Sequence, residues 1–311
     1  MYDNCRLCPN ACGVDRHVKA GVCGQKDVVR IAWSGLHRGE EPPVSGRNGA
    51  GMVFFTGCPL GCRFCQNWQI SSGDEDAYGM DVTLDELAEV FLQLQSFGAA
   101  SLDLVTGTHF IPSIAEALDL ARGRGFSLPV VWNSSGYESV EGLEIIDPYV
   151  DLYLVDVKTY DRQVARTFCG RERYVDSIDG CMDFITTHHP HTDLDRLQGT
   201  LVRHLVFPGT LAATRSFIRR FSRRYRSSCA LSLMVQFIPP KGDVSFDPIS
   251  DEEYDGLIDL LDECGIEDGF VQDRSDDDIL WIPDFTKDVP FPASFADALP
   301  YFLDLRRSKL S

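Results

Sequence analysis

The chain has 311 residues, 44% of them hydrophobic and 24% charged, the make-up of a globular protein long enough to bury a large core. No stretch approaches the ~18 to 20 consecutive apolar residues that cross a membrane, and the start, Met1-Tyr-Asp-Asn-Cys-Arg6, lacks the basic and apolar regions of a signal peptide, so a cytoplasmic location with no membrane partner is expected. A formal net charge of −18 makes the surface repel nucleic acid, and the basic run from Arg215 to Arg226 reads as the solvated face of a helix.

Eleven cysteines in a chain of this size point to metal binding or redox chemistry, not to a disulfide framework. Four of them, Cys5, Cys8, Cys12 and Cys23, follow the spacing C-x2-C-x3-C-x10-C at the N-terminus. Four thiolates fill either the tetrahedral shell of a structural zinc or the ligand set of an iron–sulfur cluster, and the spacing leaves both open.

The apolar run Met52-Val-Phe-Phe-Thr56 reads as a buried strand. It leads into Thr56-Gly-Cys-Pro-Leu-Gly-Cys-Arg-Phe-Cys-Gln-Asn67, where Cys58, Cys62 and Cys65 are spaced C-x3-C-x2-C. Pro59 and Gly61 oppose a regular helix and favour a loop that wraps around something. Three thiolates can hold three irons of a [4Fe-4S] cluster, which usually takes four protein ligands, so the fourth iron is left for a substrate or cofactor. A three-cysteine zinc site or inert buried thiols are the competing readings.

Downstream, short apolar runs alternate with amphipathic segments. Thr83-Leu-Asp-Glu86 is a capping box, followed by Leu84, Leu87, Ala88, Phe91 and Leu94 at helical spacing. A strand at 101–105, a helix opening near Pro112, a strand at 129–132, a helix at 139–147 and a strand at 150–155 come next. The polar stretch 159–199, with Arg171-Glu-Arg-Tyr174 and His188-His-Pro-His191, reads as helix in part and otherwise as solvated loop. Strands at 201–207 and 231–237 flank a helix at 212–225, and Ser250-Asp-Glu-Glu253 caps a helix ending at Gly265. Such alternation predicts α/β architecture with a parallel sheet and right-handed crossovers. Beyond 266 comes an acidic loop, Asp273-Arg-Ser-Asp-Asp-Asp278. A tail carrying Trp281, Phe285, Phe291, Phe295, Tyr301 and Phe302 follows, apolar enough to cover the side or mouth of the fold. Cys169, Cys181, Cys229 and Cys264 show no spacing and read as ordinary thiols.

Three strand ends carry polar chemistry: Asn133-Ser-Ser-Gly136, Asp156-Val-Lys158, and Arg203-His204. Asp156 and Lys158, two apart, share one face of a strand and present both signs of charge, as a zwitterionic ligand requires. A structural ion pair at the rim is the plainer alternative.

The cysteine loop, with Phe64 as the aromatic before its last cysteine, resembles the cluster loop of the radical S-adenosylmethionine superfamily. That resemblance implies a partial (β/α)6 barrel of parallel strands. It also implies a [4Fe-4S] cluster on Cys58, Cys62 and Cys65, and S-adenosyl-L-methionine as cofactor, cleaved to a 5′-deoxyadenosyl radical. The runs Val105-Thr-Gly-Thr-His109, Val131-Trp-Asn-Ser-Ser-Gly-Tyr137, Asp151 to Lys158, Arg203-His-Leu-Val-Phe-Pro-Gly209 and Met234-Val-Gln-Phe237 are similar to those of pyruvate formate-lyase activating enzyme-related proteins. From this narrower resemblance, Phe64, Asn133, Ser134, Asp156, Lys158 and His204 are expected around S-adenosylmethionine or its associated cation. The implied partners are an electron donor such as flavodoxin or ferredoxin and a glycyl radical enzyme whose glycine loses a hydrogen. A radical enzyme acting on a small molecule or another peptide, and a non-catalytic iron–sulfur or zinc protein, are the alternatives.

Activating enzymes of this kind have a Gly-Gly-Glu-Pro type run after the second strand, which holds the amino group of the cofactor. Here Thr106-Gly-Thr-His109 stands in its place. Gly39-Glu-Glu-Pro42 looks like it but precedes the cluster loop, so it is not expected in that role. His109 reads equally as substrate-facing or structural. The expected organisation is an N-terminal Cys-rich extension (1–48), the partial barrel (49–266) and the C-terminal tail packing on it (267–311).

Overall fold

The computed structural model describes residues 1–72, 78–240, 247–274 and 282–310. Trp281 and the acidic residues 276–278 lie outside the described residues.

Among the described residues ten strands form one sheet: β1 (Val29–His37), β2 (Ala50–Phe55), β3 (Met80–Val82), β4 (Leu102–Val105), β5 (Val130–Ser134), β6 (Leu152–Asp156), β7 (Gly199–Leu205), β8 (Ala230–Met234), β9 (Gly269–Val271) and β10 (Ala296–Ala298). Their order is β10-β1-β2-β4-β5-β6-β7-β8-β9, with β3 paired to β1. From β2 to β9 every pairing is parallel, whereas β1 runs antiparallel to β2, β3 and β10. This is the partial α/β barrel expected from the alternation, preceded by the Cys-rich N-terminus.

The crossovers are helical because their sequences say so locally. Helix Leu84–Ser96 opens on the expected capping box, in which Glu86 N–H donates to Thr83 Oγ1 (3.2 Å) and Thr83 N–H to Glu86 Oε2 (2.7 Å). Its Leu87, Ala88, Val90, Phe91 and Leu94 are buried. Helices Ile111–Gly123, Val140–Ile146, Leu211–Arg224 and Asp251–Glu263 fall within a few residues of their predicted positions. The stretch 159–199 holds two helices, Arg162–Phe168 and Tyr174–His188, in its single crossover from β6 to β7.

Four strands escaped the sequence reading: β1, β3, β9 and β10. Three have only three residues each, too short to show a period. β1 lies in the segment read as an extension and β10 in the segment read as a tail, so a single sheet crosses both expected domain boundaries. The tail then folds back over β1 and β2. Trp33 Nε1–H donates to the Asp288 carbonyl (3.0 Å), Phe291 packs on His37 and Trp33, Phe285 packs on Phe54, and Phe302 is fully buried. Across β2 to β8 the inward-facing set includes Met52, Phe54, Val105, Asn133, Asp156, Arg203, Leu205, Ser232 and Met234, and these side chains surround a single cavity.

Candidate functional site

The cavity, about 570 Å³, lies within the size range of small-molecule sites. Cys58, Cys62, Phe64 and Cys65 line it directly after β2. Gly57 and Gly61 have φ of 79° and 81°, so the chain turns twice through left-handed backbone to bring the three thiols inward. The loop is pinned from the crossover after β6: Arg63 N–H donates to the Phe168 carbonyl (3.1 Å) and Arg171 Nε–H to the Leu60 carbonyl (3.1 Å). Gly170, at φ 70°, lets that crossover come close, since a Cβ there would sit 2.3 Å from the Gly61 carbonyl oxygen. Burial, with Cys62 and Cys65 as neighbours, pushes the Cys58 thiol up to about 12. Burial raises Cys65 as well.

Phe64 packs against Phe168 and Phe237 (both 5.6 Å between ring centroids), and Phe168 stacks on Phe207 at 4.5 Å. These rings build an apolar wall beside Cys62. The strand ends line the same cavity. Asn133 lines the cavity and donates from Nδ2 to Asp103 Oδ2 (3.2 Å). Ser134 also lines it, but its hydroxyl is already committed, donating to Glu138 Oε2 (3.1 Å). Lys158 Nζ and Asp156 Oδ2 form an ion pair at 2.8 Å. Burial works against the Lys158 charge, but Asp156 and the Cys62 sulfur outweigh it and hold the ammonium above its ordinary value. The Tyr174 hydroxyl sits between the Ser135 carbonyl (2.9 Å), the Asp156 carbonyl (3.0 Å) and the Lys158 amide (3.1 Å), fixing the two strand ends relative to one another.

Two expected residues do not reach the cavity. His204 follows Arg203 on β7, and successive residues of a strand point to opposite faces. Arg203 faces the cavity, while His204 faces the helix Leu211–Arg224, stacked on Phe217 at 3.9 Å. Its Nδ1–H donates to the Val157 carbonyl (2.8 Å) and its Nε2 accepts from Thr214 Oγ1 (3.2 Å), so it is a core histidine and not a cofactor contact. Burial pulls it down to about 4. His109 is likewise structural: it is buried, and its Nε2–H donates to the Thr56 carbonyl (2.6 Å) at the root of the cysteine loop. Thr106 lines the cavity in a left-handed conformation (φ 58°), but its amide is taken by the Asn133 carbonyl (2.9 Å).

Gly39-Glu-Glu-Pro42 was set aside because of its position in the sequence, yet all four residues line the cavity. Arg203 donates from Nε to Glu41 Oε1 (2.8 Å) and pairs with both Glu40 and Glu41, and these three side chains are only 13%, 10% and 9% exposed. The antiparallel β1, invisible in the sequence, delivers the run to the sheet's inner face. Cys169, read as an ordinary thiol, lies fully buried against Cys62, with its thiol lowered by the hydrogen bond to Cys62 and by Lys158. Phe291 and Phe295 of the tail complete the lining.

Residues 52–198 match the family model described as the Radical SAM superfamily. Over that stretch the chain is similar to the radical SAM family. A curated protein of Methanocaldococcus jannaschii, described as uncharacterized, is 27% identical over 243 residues, or 77% of this chain and 67% of that one. Among solved structures, the FeFe-hydrogenase maturase HydG of Carboxydothermus hydrogenoformans superposes with a TM-score of 0.52 at 12% identity over 81% of this chain and 63% of its own. That likeness is one of fold. A domain of a pyruvate-formate lyase-activating enzyme from Bacteroides vulgatus covers 52% of this chain and 91% of its own length, with 14% identity and a TM-score of 0.39. A radical SAM domain implies a [4Fe-4S] cluster and S-adenosylmethionine, and the donor set fits both. Three thiols, a lysine–aspartate pair and an asparagine line the same cavity. Among the described residues, no helix is long and apolar enough to cross a membrane.

Proposed function

We propose that the protein is a radical S-adenosylmethionine enzyme whose cluster is held by Cys58, Cys62 and Cys65. The observation that carries this is the meeting, in one cavity of about 570 Å³, of the three thiols with Asn133, Asp156 and Lys158. When bound, the cluster and S-adenosylmethionine supply a 5′-deoxyadenosyl radical for hydrogen abstraction. Lys158 offers its ammonium to a carboxylate, Asp156 and the Asn133 carbonyl side accept from ammonium or hydroxyl groups, and the wall of Phe64, Phe168 and Phe207 excludes water from the apolar half. Arg203, Glu40 and Glu41 line the remainder, with one carboxylate in excess of the guanidinium, and suit a substrate that carries a positive or hydrogen-bond-donating group.

The substrate is a partner protein's glycine on the activating-enzyme reading, and a small molecule or another peptide on the second reading. Reduced flavodoxin or ferredoxin is the proposed source of the electron, and the cytoplasm the proposed location. Anaerobic reconstitution with iron and sulfide, followed by dithionite and S-adenosylmethionine, should release 5′-deoxyadenosine, and Cys62→Ala should abolish it. Undiminished release from Cys62→Ala would overturn the assignment of the cluster. A glycine-centred paramagnetic signal on a glycyl radical enzyme mixed with the protein separates the two substrate readings.

A further inference from the structure

Cys5, Cys8 and Cys23 are buried and Cys12 partly so, and all four thiols are free. Their loop is held by its own backbone, with Cys5 N–H donating to the Val14 carbonyl, Gly13 N–H to that of Cys5 and Ala11 N–H to that of Cys8. Gly21 packs between two of the sulfurs: a Cβ there would lie 3.5 Å from Cys23 Sγ and 3.6 Å from Cys12 Sγ, which places those sulfurs no more than about 7 Å apart. The Val22 amide points at Cys12 Sγ (3.4 Å).

The charge beside these thiols is the second observation. Arg16 is fully buried, and its three hydrogen bonds go to the carbonyls of Gln25 (3.1 Å), His109 and Lys26. Among the described residues it has no carboxylate partner. A buried guanidinium without a counter-charge is expensive. The nearest source of compensation is the thiol set: Gly21 packs against all three groups, its Cβ position lying 3.9 Å from Arg16 Cδ as well as beside the Cys12 and Cys23 sulfurs. A metal centre with four thiolates carries net negative charge and would neutralise it.

The spread of the sulfurs discriminates between metals. One tetrahedral zinc with bonds of about 2.3 Å brings its sulfurs to roughly 3.8 Å from one another. Among the described residues no three cysteine sulfurs, at either set, lie within 4.8 Å of one another. The N-terminal set thus shares the wider spacing of Cys58, Cys62 and Cys65, which suits a cluster whose ligands sit on separate irons.

We propose that Cys5, Cys8, Cys12 and Cys23 hold a second [4Fe-4S] cluster, charge-balanced by Arg16, that relays an electron to the cluster at Cys58, Cys62 and Cys65. Only the relay rests on the radical reading above. The two loops touch: Asn10, between Cys8 and Cys12, donates from Nδ2 to the Pro59 carbonyl (2.7 Å), next to Cys58. Gln25 meets Thr56 Oγ1 (3.2 Å) on the other side. One electron from a reduced low-potential flavin or iron–sulfur carrier reduces the N-terminal cluster. That cluster is reoxidised as the second is reduced, with no bond made or broken.

The test is a count of iron, sulfide and zinc on the full chain after anaerobic reconstitution. Wild type should hold about eight irons, and the triple variant Cys58→Ala/Cys62→Ala/Cys65→Ala, which leaves the N-terminal set intact, about four, with the electron paramagnetic resonance of a reduced [4Fe-4S] cluster. One zinc and no iron in that triple variant, or no metal at all, would overturn the proposal. For the relay, Cys8→Ser/Cys12→Ser should keep about four irons, and its ratio of flavodoxin-driven to dithionite-driven 5′-deoxyadenosine release should fall at least tenfold. An unchanged ratio refutes the relay. Failure of the radical reading shows separately, as wild-type protein with eight irons that releases no 5′-deoxyadenosine under either reductant.

Discussion

Replacing Arg203 by methionine tests whether the inward charge network holds the cavity together. The guanidinium bridges Glu40 and Glu41, with side-chain exposures of 13%, 10% and 9%, so its removal leaves two largely buried carboxylates facing one another, with only His37 Nδ1 (3.5 Å) beside Glu40. Removing one partner of a buried ion pair costs about 3 to 5 kcal/mol, because the remaining charge is uncompensated. The sign of the pH dependence follows. In the wild type, burial would raise Glu41, but Arg203 overrides it and holds the carboxyl below its ordinary value. Its contribution to stability is therefore present at neutral pH and lost as pH falls through that lowered value. In Arg203→Met the burial that Arg203 offset raises the Glu41 carboxyl, so the folded variant binds more protons there than the unfolded chain. Its deficit then shrinks as pH falls toward the glutamate range, by at most about 1.4 kcal/mol per pH unit for each carboxyl. Urea unfolding at pH 7.5 and 5.5 measures this for wild type, Arg203→Met and the triple variant Arg203→Met/Glu40→Gln/Glu41→Gln. The triple variant should recover most of the loss at pH 7.5. A deficit below about 1 kcal/mol in the single variant, or one that does not change with pH, would refute the reasoning.

Other consequences can be measured on the same protein. Gly170→Ala forces a Cβ toward the Gly61 carbonyl from a left-handed backbone. It should lower the iron retained at the cysteine loop by half or more in an iron assay, whereas Gly180→Ala, inside helix Tyr174–His188 with nothing near its Cβ, should leave iron unchanged and add up to about 1 kcal/mol of stability in urea. Lys158→Met removes the ammonium that faces the cavity. It should weaken S-adenosylmethionine binding to the reconstituted protein at least tenfold by equilibrium dialysis, with iron content retained. His204 is held neutral down to about 4 in the folded chain, below its unfolded value, so stability should be flat above about pH 6.5 and decline toward pH 4 as the unfolded chain gains protons first. Comparing His204→Phe with wild type by urea unfolding across that range should show a shallower slope in the variant, and identical slopes would exclude His204 as a source.

What the sequence disclosed and what it withheld have physical causes. The cysteine loop was legible because ligand spacing is local: Cys58, Cys62 and Cys65 sit within eight residues, and Gly57, Pro59 and Gly61 dictate a turn there whatever surrounds them. The parallel strands from β2 to β8 were legible because each is an apolar run bounded by helix signals. Three missed strands have three residues each, and are defined by what they pair with and not by their own pattern. The site residues divide along the same line. Asp156 and Lys158 were found because both belong to one strand end, but Glu40 and Glu41 meet Arg203 across more than 160 positions of sequence, and that meeting depends on an antiparallel strand with no helix to announce it.

The exchange of roles between Arg203 and His204 follows from parity alone. β7 pairs with β6 so that Arg203 stands beside Asp156 and with β8 so that it stands beside Ser232, which sets Arg203 inward. His204, one residue on, must then point to the helix layer, where Val157 and Thr214 satisfy both ring nitrogens and Phe217 stacks on the ring. A one-residue slip of β7 would bury Arg203 among the helices and put His204 in the cavity, at the cost of an unpaired guanidinium in the core and two unpaired carboxylates in the site. The Arg203–Glu40–Glu41 network thus fixes the register of β7 as well as the polarity of the cavity. It follows that Arg203→Met should lose more than charge: with that constraint gone, amide hydrogen exchange along Gly199–Leu205 should accelerate more than along Leu152–Asp156, and equal acceleration in both strands would place the damage in global stability instead.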